Sequence, residues 1–422
     1  MVENTGRKPH DVLIDNGKEK YILFAVSYGD EEKAEKSIEE LEELLETAGG
    51  ESVAFMVQNL EKPDRTTYIG KGKALELKEM VEFLEADGVI CDDELTPSQH
   101  RNLADLLDTK VVDRTMLILD IFAGRATTGE GKIQVEMAQL KYRASRLTGQ
   151  GTALSRLGGG IGTRGPGETK LETDRRAIQR RLDKLTADVK SLKQVRETTR
   201  KKRLESASPI VAIVGYTNAG KSTLLNRLTS ADILAEDKLF ATLDPTTRVC
   251  RLESGREILF TDTVGFINKL PHQLIDAFRS TLEEAKYADV ILHLVDGTSS
   301  DMELHKEVVY DTLENLGIKD KPIITAFNKV DLIEKTDDLP LMDENADVVV
   351  EISAKTGKGL DELFEAIEGS LRGDKVYLET IIPYGESDYL KRIKKYGELI
   401  SEEYVGDGVL IKAYVPQNLL NV

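Results

Sequence analysis

Residues 210–229 read IVAIVGYTNAGKSTLLNRLT, an apolar run, a short loop and then a helical pattern. Within it GYTNAGKS (215–222) fits G-x-x-x-x-G-K-[ST] without exception, and this octet constrains the fold more than any other feature of the chain. Such a loop requires a buried strand before it and a helix N-terminus after it, because its backbone N–H groups wrap a phosphate chain and the helix end adds partial positive charge. On this reading Gly215, Tyr216, Thr217, Asn218, Ala219 and Gly220 form the cradle and Thr223 completes the set at the start of the helix. Lys221 spans the β and γ phosphates, and the Ser222 hydroxyl is offered to Mg2+.

Three further motifs follow in order, each at the end of an apolar strand pattern. EILFT leads into DTVG (262–265), where Asp262 reaches magnesium through a water and the Gly265 N–H senses the γ phosphate. PIITAF leads into NKVD (328–331). The Asp331 carboxylate matches the N1–H and N2 amino donors of guanine, with Asn328 and Lys329 bracketing base and loop. Adenine has no such donor pair and would leave that charge unpaired. VVVEIS leads into Ser353, Ala354 and Lys355, where the Ala354 N–H is placed to meet guanine O6. The conjunction of four motifs in this order, rather than any one of them, predicts a P-loop GTPase domain.

Between the phosphate loop and DTVG lies FATLDPTTR (240–248), the expected first switch. Thr242 is the expected magnesium ligand when the γ phosphate is present, with Thr246 and Thr247 as alternatives. Lys221, Thr242 and Gly265 therefore make up the expected catalytic set, and Ser222, Thr242 and Asp262 the metal set. Phe266 stands where a water-orienting glutamine would be useful, and an aromatic ring cannot do that work. His272 and His293 read as ordinary surface and strand residues.

The rest of the chain bounds the setting. At 422 residues it exceeds one ordinary domain of about 100–200 residues. With 31% charged residues and no apolar run near the ~20 needed to cross a bilayer, it is not an integral membrane protein. Cys91 and Cys250 are its two cysteines, far apart and outside any zinc-like spacing. The N-terminus has no apolar signal core, and a cytoplasmic location is expected. The net charge of −18 argues against a polyanionic partner until it is resolved along the sequence. Residues 141–203 hold 18 Lys and Arg against 6 Asp and Glu, a basic island in an otherwise acidic chain.

That island coincides with a change of pattern. Ile133, Met137, Leu140, Ala144 and Leu147, then Leu171, Ile178, Leu182, Leu185, Val189 and Leu192, recur at heptad-like spacing. GQGTALSRLGGGIGTRGPG (149–167) between them is too rich in glycine to be helical. The prediction is an antiparallel helical hairpin with a glycine-rich tip, offering Arg156, Arg164, Arg175 and Arg176 to RNA. The fold class expected overall is α/β in four parts: an N-terminal parallel α/β domain (1–128), the basic hairpin (129–206), a doubly wound GTPase domain (207–372) and a small C-terminal α+β domain (373–422). GKGK (70–73) is expected to be a solvated turn. The C-terminal segment reads as strand, helix, strand.

The chain resembles the HflX family of ribosome-associated GTPases along nearly its whole length. VDRTMLILDIF (112–122), GEGKIQVEMAQLKY (129–142), GGGIGTRGPGETKLETDRR (158–176) and FATLDPTTR carry that resemblance. It implies GTP and GDP as ligands, binding to the large ribosomal subunit and its RNA, nucleotide-dependent splitting or rescue of ribosomes, and approach of the 149–167 tip to the peptidyl-transferase region. A monomer is expected. A rival reading is a slow GTPase switch that recruits a protein through the hairpin without touching RNA; the basic island and its arginines separate the two.

Overall fold

The structure, a computed structural model, describes residues 18–147, 166–204, 208–229, 239–240, 247–252, 257–270, 284–333, 341–372, 375–416 and 420. Contacts group the described residues into two compact units, where the sequence pattern suggests four segments. One unit takes in Met1–Thr199 with Glu236–Asp244 and Lys269–Arg279, and the other Arg200–Ala235, Pro245–Asn268 and Ser280–Val422. Among the described residues no helix is long and apolar enough to cross a membrane.

The first unit is built on β1 (Lys20–Ser27), β2 (Glu51–Asn59), β3 (Gly88–Cys91) and β4 (Lys110–Asp113), all parallel in the order β2-β1-β3-β4. KYILFAVS is buried at every position after Lys20 because a central parallel strand has both faces covered. Helices α1 (Glu31–Ala48), α2 (Lys71–Leu84) and α3 (Pro97–Leu107) supply the crossovers. Their ends follow local chemistry. Asp30 caps α1 by accepting from the Lys33 N–H at 3.0 Å, and Thr96 with Gln99 forms a capping box around Pro97. GKGK is not a turn: Gly70 caps α2, and Lys71 and Lys73 lie in its first turn.

VDRTM then turns from strand straight into α4 (Arg114–Arg125), which the alternating strand and helix pattern does not separate from β4. Asp113 is fully buried and caps α4 through the Met116 N–H at 2.9 Å. Its carboxylate also accepts from the Leu95 N–H at 3.0 Å and the Tyr142 hydroxyl at 2.6 Å, and pairs with Arg146. Those last two partners belong to α5 (Gly129–Leu147), so the base of the hairpin is tied to the sheet. The buried face of α5 is accordingly Gln134, Val135, Ala138 and Tyr142, against α3 and α4, rather than the expected seam of Ile133, Met137, Leu140, Ala144 and Leu147. A helix with two packed sides shows a mixed period, and the sheet side takes the deeper burial.

The second arm is α6 (Pro166–Leu204). It begins inside the segment expected to be non-helical, at Pro166, whose fixed φ and missing N–H suit the first helical position. Leu185 is buried, and Arg181 meets Glu136 of α5 through two bonds of 2.6 and 2.8 Å. The first unit also holds Lys269, which pairs with Asp92 and, at 2.8 Å, with Asp93, and Phe240, whose ring lies edge-on to Phe122.

In the second unit β5 (Ile210–Gly215), β6 (Thr247–Arg251), β7 (Glu257–Asp262), β8 (Val290–Asp296), β9 (Ile323–Asn328) and β10 (Val348–Glu351) form one sheet in the order β10-β9-β8-β5-β7-β6, with β6 alone antiparallel. Helices α7 (Lys221–Thr229), α8 (Met302–Asn315) and α9 (Leu360–Arg372) accompany it. Strand order runs one way from β5 to β7 and the other way from β5 to β8, so the carboxyl end of β5 is a topological switch point. His293 on β8 is buried against Thr325, Tyr310 and Asp343; burial pulls its pKa down, and although burial also raises Asp343, hydrogen bonds from His293, Thr325 and Tyr310 hold that carboxyl well below the usual range.

The C-terminal part contains β11 (Lys375–Ile382), α10 (Ser387–Tyr396), β12 (Glu398–Val405) and β13 (Gly408–Pro416), in the antiparallel order β11-β13-β12. The expected strand, helix, strand lacks β12. Its sequence signal is Gly406-Asp407, a two-residue turn between paired strands.

Arg114 has side-chain exposure of 2% and binds Asp92 at 2.7 Å together with Glu40. Arg114→Ala leaves buried carboxylate charge without its main partner and is expected to cost about 3 kcal/mol, read as a lower urea midpoint for the first unit.

Candidate functional site

The motifs converge at the carboxyl ends of β5, β7, β9 and β10. After Gly215 the chain leaves the sheet, turns through Asn218 at φ 59 and Gly220 at φ 94, and enters α7 at Lys221. A Cβ on Gly220 would lie 2.3 Å from the Asn328 amide nitrogen, so glycine is needed there for both conformation and space. Lys221 is buried and its ammonium folds back over the loop, donating to the carbonyls of Gly215 at 3.1 Å and Tyr216 at 2.7 Å. Burial pulls its pKa down to about 8, with Asp262 opposing the shift. Thr217 is buried in the loop, and Ser222 and Thr223 occupy the first turn of α7.

β7 delivers Asp262, fully buried, beside that turn, and Ser222 donates to its Oδ2 at 3.3 Å. Two hard oxygen donors side by side, a hydroxyl and a fully buried carboxylate, suit a magnesium ion that Ser222 would hold directly and Asp262 through a water. The residues present therefore fit the cation. Gly265 passes so near the loop that a Cβ there would meet Thr217 at 2.9 Å and the Lys221 ammonium at 3.0 Å. Phe266 is buried and pairs with Tyr216, its N–H donating to Gly215 at 3.1 Å and its carbonyl accepting from the Thr217 N–H at 2.7 Å.

On the other flank Asn328 ends β9 and is 2% exposed. Its amide nitrogen donates to the Ala219 carbonyl at 2.8 Å, and its Oδ1 accepts the Ala354 N–H at 2.8 Å. This one side chain joins the phosphate loop to the Ser353–Ala354 loop, a role the sequence pattern does not assign. The Ala354 N–H expected to meet guanine O6 is engaged by Asn328 here. Ser353 is buried and shapes its own turn, accepting from the Thr356 N–H at 3.1 Å. Lys329, at φ 66, pairs with Asp296 at 2.7 Å; Asp296 is likewise unassigned by the motifs, although it too closes an apolar strand. Asp331 lies exposed on the short 3-10 turn after Lys329, and Lys355 is exposed beside Ala354.

Other expected residues lie apart or outside. Arg175 and Arg176 are exposed on α6, Arg176 paired with Glu172 one turn away. Arg156, Arg164, Thr242, Thr246 and His272 fall outside the described residues. Thr247, the remaining switch alternative, begins β6 and its hydroxyl lies 3.1 Å from that of Thr261. Cys91 and Cys250 are buried thiols, not joined to each other.

Comparison with known proteins agrees with this arrangement. Three family models match in sequence: the GTP-binding GTPase N-terminal domain over residues 35–123, the GTP-binding GTPase middle region over 125–203, and the 50S ribosome-binding GTPase over 210–329. The chain is 58% identical over 402 residues to GTPase HflX of Lacrimispora saccharolytica, covering 95% of each chain. It is 51% identical over 398 residues to GTPase HflX of Caldanaerobacter subterraneus subsp. tengcongensis, covering 94% of this chain and 91% of that one. With GTPase HflX of Escherichia coli K12 the identity is 40% over 393 residues, covering 92% of each. The chain belongs to the HflX family of GTPases.

Proposed function

We propose that the chain binds GTP and GDP at the carboxyl ends of β5, β7, β9 and β10, and that its hydrolytic cycle governs binding to the large ribosomal subunit and the splitting or rescue of ribosomes. The observation that carries this reading is the convergence of Lys221, Ser222, Asp262, Gly265 and the Asn328 bridge at one switch point. Backbone N–H groups of 215–223 hold the phosphates, and Lys221 lies within reach of the loop's rim. Ser222 and Asp262, with Thr242 in the GTP state, hold Mg2+, which when bound neutralises charge developing between the β and γ phosphates. Gly265 reports the γ phosphate, and Asp331 selects guanine with Lys329, Ser353 and Lys355 shaping the base pocket. Phe266 is packed away from solvent, so water is oriented by some other group, which a ribosomal partner is suited to complete.

The basic hairpin, 129–206, is the arm offered to ribosomal RNA, through Arg156 and Arg164 at the tip and Arg175 and Arg176 on its second helix. The likeness of residues 210–329 to the 50S ribosome-binding GTPase model supports a ribosomal partner for the chain, and the excess of Lys and Arg over 141–203 is the reason for placing the contact on the hairpin. A cytoplasmic monomer is the form in which we expect it to act, with 1–128 as the hairpin's foundation, 207–372 as the switch and 373–422 as an appended module. GTP must favour the ribosome-bound state over GDP for the cycle to have direction.

Sedimentation with purified ribosomes tests the whole reading. Large-subunit binding should be strongest with a non-hydrolysable GTP analogue, weaker with GDP and steeply salt-dependent; binding indifferent to nucleotide and salt would sink it. Asp331→Asn should move base preference from guanine toward xanthine in a competition assay, and unchanged GTP selectivity refutes the base-pocket assignment. The proton balance at Lys221 gives a third test. Phosphates restore its pKa, so binding takes up a proton once the solution passes the free value near 8. GDP affinity should be flat from pH 7 to 8 and fall above it by up to about tenfold per unit, a break absent in Lys221→Arg, whose guanidinium stays charged.

A further inference from the structure

Tyr216 occupies a position that the phosphate-loop pattern leaves open to any residue, yet its side chain is among the most constrained in the site. The ring is 7% exposed and stacks on His305 of α8 with centroids 3.8 Å apart and an interplanar angle of 14°. Its hydroxyl oxygen accepts the Asn268 N–H at 2.7 Å. The backbone at the same place pairs with the chain beyond DTVG, Phe266 donating to Gly215 and accepting from Thr217. Phe266 and Ile267 are both buried, at 2% and 1%. The stretch 265–268 is thus attached to the phosphate loop by two backbone bonds at Phe266 and by one side-chain bond at Asn268, where burial ends.

We propose that Tyr216 is a positioning residue for GTP hydrolysis: by holding Asn268 with its hydroxyl it fixes Gly265 against Lys221 in advance of nucleotide. The inference rests on the GTPase reading of this site. Its physical basis is preorganisation. A donor aimed beforehand at the γ phosphate needs no rearrangement when charge develops there. Gly265 has no Cβ because the loop leaves no room for one, so its N–H direction depends on how tightly the residues after it are anchored. The Asn268 N–H is held by the phosphate loop's tyrosine one residue before the chain turns through Lys269 at φ 55. GDP lacks the group that Gly265 reads; the tyrosine hydroxyl therefore bears on GTP more than on GDP.

The test is Tyr216→Phe, which keeps the ring on His305 and removes the hydroxyl, with His305→Ala as a second variant that loosens the ring and keeps the hydroxyl. Labelled-GDP titration, competition by a non-hydrolysable GTP analogue and single-turnover GTP hydrolysis are measured on the full chain. Tyr216→Phe should lower both analogue affinity and the hydrolysis rate by about fivefold to tenfold, the size of one buried hydrogen bond, and by clearly more than it lowers GDP affinity. His305→Ala should shift the same two quantities in the same direction by less. Equal losses for GDP and analogue would make the tyrosine merely structural and overturn the proposal, as would an unchanged hydrolysis rate. Failure of the parent chain to bind GDP would instead overturn the GTPase reading, which keeps the two distinguishable.

Discussion

The nucleotide end of the second unit depends on Asn328, a buried amide whose two polar atoms both face backbone. One end holds the phosphate loop at Ala219 and the other holds Ala354, so the loops following β5 and β10 are set at a common distance from β9. An amide is suited to this because it donates and accepts at once; a carboxylate or an alkyl group of the same size would leave a buried carbonyl or N–H unanswered, which costs about 1–3 kcal/mol. The tie also requires glycine at 220, where the amide nitrogen fills the space a side chain would need. Loop and bridge are therefore one design, and the other site residues inherit their positions from it.

The first unit is organised by charge rather than by amide. Asp113 and Arg114 are neighbours at the end of β4, both almost fully buried, and they face different ways. Asp113 gathers the α4 cap, the loop before α3 and the base of the hairpin, whereas Arg114 reaches Asp92 and Glu40. Buried ions of this kind are costly unless each is hydrogen-bonded, and here each is. They give the hairpin a defined origin on the sheet.

Elements with a single clear period are legible in the sequence. β1, β5 and β8 are near-continuous apolar runs because parallel central strands are covered on both faces, and α1 and α3 announce their starts with Asp30 and Thr96. Sequence pattern and fold part where two environments compete for one segment. α5 packs against α3 and α4 on one side and meets α6 through the Glu136–Arg181 pair, so its heptad spacing points to a face that is only half-buried. α4 follows β4 without a loop, and β12 carries the exposed, charged stretch ELISEEYV that reads as neither strand nor helix until β13 pairs with it. GKGK and Pro166 read as turn and loop, yet glycine and proline also serve at helix N-termini.

What the sequence by itself determined is the motif set: GYTNAGKS, DTVG, NKVD and SAK in that order and a basic island over 141–203, each recognisable because it keeps particular residue types at fixed spacing. What only the tertiary structure decided is how those pieces are held. Asn328 joining two loops, Lys329 paired with Asp296, and Tyr216 stacked on His305 with its hydroxyl at Asn268 all link residues far apart in the chain. Local spacing carries no record of such pairs, because it is the crossing of the sheet that brings them within a hydrogen bond of one another.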